Sequence, residues 1–377
     1  MASPRTISIW LLLGIALAVI IGSLIFVKRQ AAPAPRSASP DAGSPPHVHR
    51  TNTQQPEAGI AAQIRDSGAA FRENRDPARA SILLRELRVA IRQAPEAEAA
   101  AAIVAYLKTG EDALTGLPFA VGPEGMMDAV PSFRIALLDL LPSLDPLAAL
   151  ELAREVMDRR TSADEYALAL RNLAWNDLNG DLRDELSSRF MDLLKLPWLD
   201  QPSAGFLEAF DIAVEVGGRP MFDRLVALAG EATAKSNPAV SRAAFMSLDR
   251  MIVRDPGLLI TGFSSDPGWM NFAPQQRASL MSRLDITEPG QRDVFSRYLS
   301  SAGHAVGELE YFAKVFPNQN FLYGHRLVTA DDATPTIDEV SAADANVLGE
   351  LDALEALVPE ESKSAIRTIR ERLGSSR

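Results

Sequence analysis

Residues 131–157, PSFRIALLDLLPSLDPLAALELAREVM, decide the fold. In the middle of this stretch Asp145 stands before Pro146. That order places a capping carboxylate ahead of a proline at the first helical position, where a missing N–H costs nothing. Leu147, Leu150, Ala153 and Met157 then recur at intervals of three and four, so they share one face of a helix. No alternating β-branched run interrupts the pattern, and the stretch predicts two short helices joined by a tight turn.

The same marks recur outward from it. Asn237-Pro238 and Asp255-Pro256 repeat the capping arrangement, and Asp76 with Pro77 and Thr287 with Pro289 resemble it. Gly217-Gly218, Gly303 and Pro317 read as stops. Further apolar stripes are Leu182, Leu186, Phe190 and Leu193; Phe206 and Phe210; Phe222, Leu225 and Ala229; and Phe245, Leu248 and Ile252. Each is narrow, which suits helices stacked in two layers. Helix pairs are expected to begin near 132, 162, 203, 238 and 274, in steps of 30 to 41 residues. Such steps belong to helical-pair repeats.

The tetratricopeptide pattern is missing, but residues 131–153 resemble a HEAT-type helix pair, and the generic resemblance extends over about residues 80–302. It implies an α-solenoid and carries no active-site residues with it. The alternative is an irregular all-helical domain. The expected fold is therefore all-α: a solenoid of antiparallel helix pairs over 60–317, a long loop over 318–336, and a C-terminal helical hairpin over 337–377 that caps the last apolar face.

The N-terminus has a different character. After a short tail, 1–6, residues 7–27 contain no charge and are long enough to cross a bilayer as a helix. The rival reading is a cleaved signal peptide, with a possible site at Ala31-Ala32-Pro33-Ala34. Gly14, Ala18 and Gly22 lie four apart and form a stripe on which a second membrane helix, including that of another copy, can pack. Residues 28–59 are rich in Pro, Ala and Ser and read as a flexible tether. Lys28, Arg29 and Arg36 outnumber Arg5, so a strict charge count puts the body inside. The short N-terminal tail of a signal anchor favours the extracytoplasmic, periplasmic side, and that is the side expected here.

Composition narrows the chemistry. A net charge of −11 argues against nucleic acid, and the absence of cysteine removes disulfides and thiolate metal sites. HExxH, GxxxxGK[ST] and GxSxG are all missing, and the calcium-like stretch 177–181 places Trp175 and Leu186 at ligand positions, so it reads as a turn. His47 and His49 lie in the tether without a third ligand. No catalytic residue, metal or cofactor is expected.

Two loops stand out as candidate partner-binding surfaces. The first, 115–127, offers Phe119, Val121 and Met126; the second, 316–326, offers Phe321, Tyr323 and His325. Either set can instead pack back onto the helices. The leading functional reading is a single-pass, non-enzymatic scaffold presenting a groove to a protein or peptide. Its rivals are an envelope hydrolase acting on a polysaccharide, which needs a sheltered pair of acids, and an oligomer assembled through the Gly14–Ala18–Gly22 stripe.

Overall fold

The computed structural model describes residues 59–73, 75–265, 273–319, 324–330 and 334–375, all within one compact unit, Glu57–Arg377. The body is all-helical. In chain order the helices are α1 (Ile60–Glu73), α2 (Pro77–Gln93), α3 (Glu96–Thr109), α4 (Phe133–Leu140), α5 (Pro146–Arg159), α6 (Ala163–Trp175), α7 (Arg183–Leu193), α8 (Ala204–Glu208) and α9 (Asp211–Val216). They continue with α10 (Arg219–Ala234), α11 (Pro238–Arg254), α12 (Pro256–Ser265), α13 (Pro274–Met281), α14 (Pro289–Ser300), α15 (Glu308–Val315), α16 (Ile337–Glu355) and α17 (Glu360–Ser375). The expected starts near 132, 162, 203, 238 and 274 fall at Phe133, Ala163, Ala204, Pro238 and Pro274.

Local chemistry sets these boundaries. Asp76, Asp145 and Asn237 accept hydrogen bonds from the first-turn N–H groups of Ala78, Ala148 and Val240. Asp255 does the same for Gly257. Thr287 does not cap α14, because its hydroxyl donates to Asp285 and Glu288 takes the cap position without a side-chain bond.

Helices two or three apart in the chain lie side by side. The series α4, α6, α8–α9, α11, α13, α15, α17 forms one layer, in which each member packs on the next. Helices of the second layer lean on it: α5 on α6, α10 on α11, and α16 on α17. The apolar core runs between the layers. At its N-terminal end Phe71 and Tyr106 pack on Phe133, each with ring centroids 5.1 Å away. In the middle Phe190 and Phe206 meet Phe210, and at the far end Phe295, Phe312 and Phe316 stack together.

Two departures from the sequence reading matter below. The stripes are not uniformly narrow: every residue of α4 is buried, as is nearly all of α6. In α5 the expected stripe holds at Ala153 and Met157, which are buried with Ala149, Leu152 and Val156, but Leu150 is half-buried and Leu147 is exposed. The reason α4 is enclosed is a small antiparallel hairpin, β1 (Ala120–Val121) and β2 (Met127–Ala129), which breaks the purely helical pattern and lies over the first layer. Among the described residues no helix is long and apolar enough to cross a membrane. The expected span at 7–27, with Gly14, Ala18 and Gly22, and the tether up to residue 58 lie outside the described residues.

Candidate functional site

Along the first layer, arginines and acids from successive helix pairs meet in a series of buried rungs. Arg134 of α4 makes a bidentate pair with Glu165 of α6, at 2.8 and 3.1 Å, while Asp139 of α4 receives Arg171 of α6 at 2.6 Å. Asp211 of α9 receives Arg250 of α11 at 2.8 Å. Asp249, one residue earlier on α11, receives Nε and Nη2 of Arg283 at 2.8 Å each. Arg277 of α13 pairs with Glu308 of α15. The partners are separated by 31 to 39 residues, the step of the helix pairs themselves. In the second layer Arg154–Glu185 and Arg189–Asp158 repeat the 31-residue spacing at the surface.

Four of these arginines also hold main chain. Arg134 donates to the carbonyl of Leu107 at 2.7 Å and Arg171 to that of Gly125 at 2.8 Å. Arg250 donates to the carbonyls of His325 and Ala330, both at 2.8 Å, and Arg283 to that of Asn318 at 2.7 Å. The acids complete the pattern. Asp139 accepts the N–H of Met127 at 3.2 Å, and Asp211 accepts those of Val328 and Thr329 at 2.7 Å each. A guanidinium has donors to spare after a carboxylate is satisfied, and a carboxylate has lone pairs to spare, so a rung can also bind main-chain carbonyl and N–H groups. Gly125 and Met127 lie in the first loop singled out from the sequence and Asn318 and His325 in the second, whereas Leu107 belongs to α3 and Val328, Thr329 and Ala330 lie just beyond 316–326. The hairpin region and the 324–330 segment also meet: a Cβ on Gly125, whose φ is +74°, would strike the carbonyl of Leu327 and the ring of Trp175.

Burial raises the carboxyl of Asp139, opposed by Arg171, and that of Asp211, opposed by Thr329 and Arg250. It lowers the guanidinium of Arg171, which also stacks on Trp175 at 4.1 Å. A raised carboxyl is what a hydrolase uses as general acid. Here, however, both side chains are fully buried beneath the hairpin and the 324–330 segment and are already engaged by arginine and main-chain donors. Glu308 behaves oppositely. Burial pushes its carboxyl up, but His304, whose Nδ1 lies 3.3 Å away, and hydrogen bonds from Arg277 and the Ala305 N–H outweigh it and bring the pKa to about 2.

The sequence-derived candidates divide as follows. Phe119 is buried, with its ring against Gly205, and Val121 and Met126 are half-buried in the hairpin region. Phe119 therefore packs rather than displays. His325 is half-buried 3.2 Å from Glu208, while Phe321 and Tyr323 lie outside the described residues. None of the arginines or acids of the rungs stood out in the sequence, although their common spacing was available to find them. Among the described residues no cluster of His and carboxylates suits a metal.

A cleft of about 540 Å³ lies over α11, α13 and α15, with Asp249 and Arg283 in its lining.

Compared with known proteins, the chain matches no family model, no curated protein and no solved structure.

Proposed function

We propose that this chain is a membrane-anchored, non-enzymatic scaffold: a HEAT-like α-solenoid, tethered through residues 28–59 to a single span at 7–27, that binds an extended segment of a partner protein. The observation that carries this reading is the series of Arg–acid rungs. They hold irregular main chain of this chain itself, the turn at Gly125 and the bend at 327–329, through carbonyl and N–H groups, which is recognition independent of side-chain identity. The side-by-side order of α4 to α17 supports the solenoid reading, since each helix contacts its neighbours in the stack. We place the body on the extracytoplasmic side.

The experiment is photocrosslinking from the full chain in its own membrane, with a photoreactive residue at 242, 276 or 311 on the open face and at 85 or 224 as controls. The scaffold reading expects discrete protein adducts from the first set. No adduct from any position would sink it. A reporter that is active only when exported, fused after Arg377, tests the side: silence of that reporter would put the body in the cytoplasm.

A further inference from the structure

We infer that the outer face of α2, with Arg79, Ile82, Arg85, Val89 and Arg92, docks on an anionic lipid surface, an inference resting on the membrane-anchored reading above.

Spacing builds this face. The five residues follow one another at steps of three, three, four and three, so they form one stripe along the helix. Ala80, Leu84, Leu87 and Ile91 turn to the core and leave the stripe outside. Ile82 is 50% exposed and Val89 47%, two turns apart, with Arg85 between them. Arginines elsewhere in the body are engaged by carboxylates and carbonyls, as in the rungs. Arg79, Arg85 and Arg92 are exposed and, like Arg75 just before the helix, make no side-chain ion pair or hydrogen bond among the described residues. Glu86 is the one carboxylate of α2, so the face stays net positive.

Cations interleaved with aliphatic side chains on one helix face complement a lipid surface: guanidinium groups meet headgroup phosphates while the aliphatic tips enter the acyl boundary. A nucleic acid backbone would use the arginines and leave Ile82 and Val89 in water. The chain as a whole carries −11, but screening at physiological ionic strength confines charge effects to about 8 Å, so a bilayer meets the face rather than the sum. Two aliphatic residues and four arginines adsorb only weakly by themselves. The anchor supplies the rest. The tether ends where α1 begins, and α2 packs on α1. In the anchored reading the face therefore stays within some tens of ångströms of a bilayer and meets it at high effective concentration.

The chain has no cysteine, so a single Ala78→Cys on the same face takes one environment-sensitive fluorophore. The labelled full chain is reconstituted into vesicles of phosphatidylcholine alone or of equal parts phosphatidylcholine and phosphatidylglycerol. The expected result is a blue shift, with quenching by nitroxide-labelled lipid, in the mixed vesicles and not in the neutral ones. A label at Leu178→Cys, exposed between α6 and α7, stays unshifted in both. Arg85→Glu with Arg92→Glu lowers docking about tenfold or more, whereas Arg85→Lys with Arg92→Lys retains it. Raising salt from about 0.1 to 1 M cuts the screening length from about 10 to 3 Å and releases the face. Thermal melting of each variant confirms that it is folded. An unshifted label in mixed vesicles, an equal shift in neutral ones, or a shift that survives the double reversal overturns the inference. A label silent to lipid but shifted by poly-glutamate gives the face to an acidic protein and overturns it too. The anchored reading fails separately, if the chain does not float with neutral vesicles in a density gradient. Flotation with the mixed vesicles alone, lost in the double reversal, would keep the face without the anchor, and flotation with an unresponsive label would keep the anchor without the face.

Discussion

At the scale of single residues, the rungs are costly to break and cheap to replace. Arg171 and Asp139 are both fully buried, and each is the other's main compensation. Removing one leaves an unpaired charge in a low-dielectric interior, so Arg171→Met is expected to destabilise by about 3–5 kcal/mol. Replacing both, as Arg171→Met with Asp139→Leu, restores much of that loss in the apolar contacts but still strands the N–H of Met127 and the carbonyl of Gly125. A double-mutant cycle by urea denaturation checks this, and additive losses would contradict it. Glu308 gives the acid-sensitive rung. Its folded pKa, about 2, lies below its ordinary value of 4.5. A depressed carboxyl stabilises above the unfolded pKa, and that contribution disappears as pH falls through the folded one. The melting temperature is therefore expected to drop between about pH 4.5 and 2, and to drop less in Glu308→Gln. Parallel pH profiles for the two proteins would refute the assignment.

At the scale of elements, the informative comparison is between two glycines in the same left-handed conformation. Gly110 ends α3 at φ +77° with open space around its Cα, whereas Gly125 sits at φ +74° against Leu327 and Trp175. Gly110→Ala carries only the backbone penalty, about 1 kcal/mol. Gly125→Ala adds a steric clash with main chain, for a total of about 2–4 kcal/mol. It is also expected to speed hydrogen exchange at Val328 and Thr329, whose N–H groups bond Asp211; equal exchange in both variants would break the link between the two loops. These elements show what the sequence discloses. Helix starts are legible because Asp145-Pro146 and Asn237-Pro238 are local signals, complete within a few residues. The rungs are not, since their bonds join residues 31 or more apart, and the hairpin, though its strands pair locally, has strands of only two and three residues, too short to show a period of two. The same distance hides Phe119, whose loop looks suited to display until Gly205 is placed beneath its ring.

At the scale of the whole molecule, the layer in which each helix packs on the next must end somewhere, and its last helix would expose apolar surface if nothing covered it. Helix α17 packs on α15 and buries Ala365, Ile366, Ile369 and Leu373, while α16 folds back over it with Val347, Leu351 and Leu354. Polar bonds lock this hairpin to the stack: Ser362 donates to the carbonyl of Leu299 and Arg372 to that of Phe316. Deleting residues 337–377 uncovers α15 with its Phe312, and it also frees the Phe316 carbonyl at the edge of the segment that Asn318 joins to Arg283. Damage to a stack spreads from the exposed end through neighbouring interfaces. The truncated body is therefore expected to lose cooperative unfolding at its C-terminal end first, with exchange protection falling over α13 to α15 while α4 to α6 keep theirs, because the latter are held by two rungs and the hairpin. Exchange mapped by mass spectrometry along the chain reads this directly. A uniform loss of protection from α4 to α15 would mean that the body unfolds as one unit rather than as a stack of neighbour-coupled pairs.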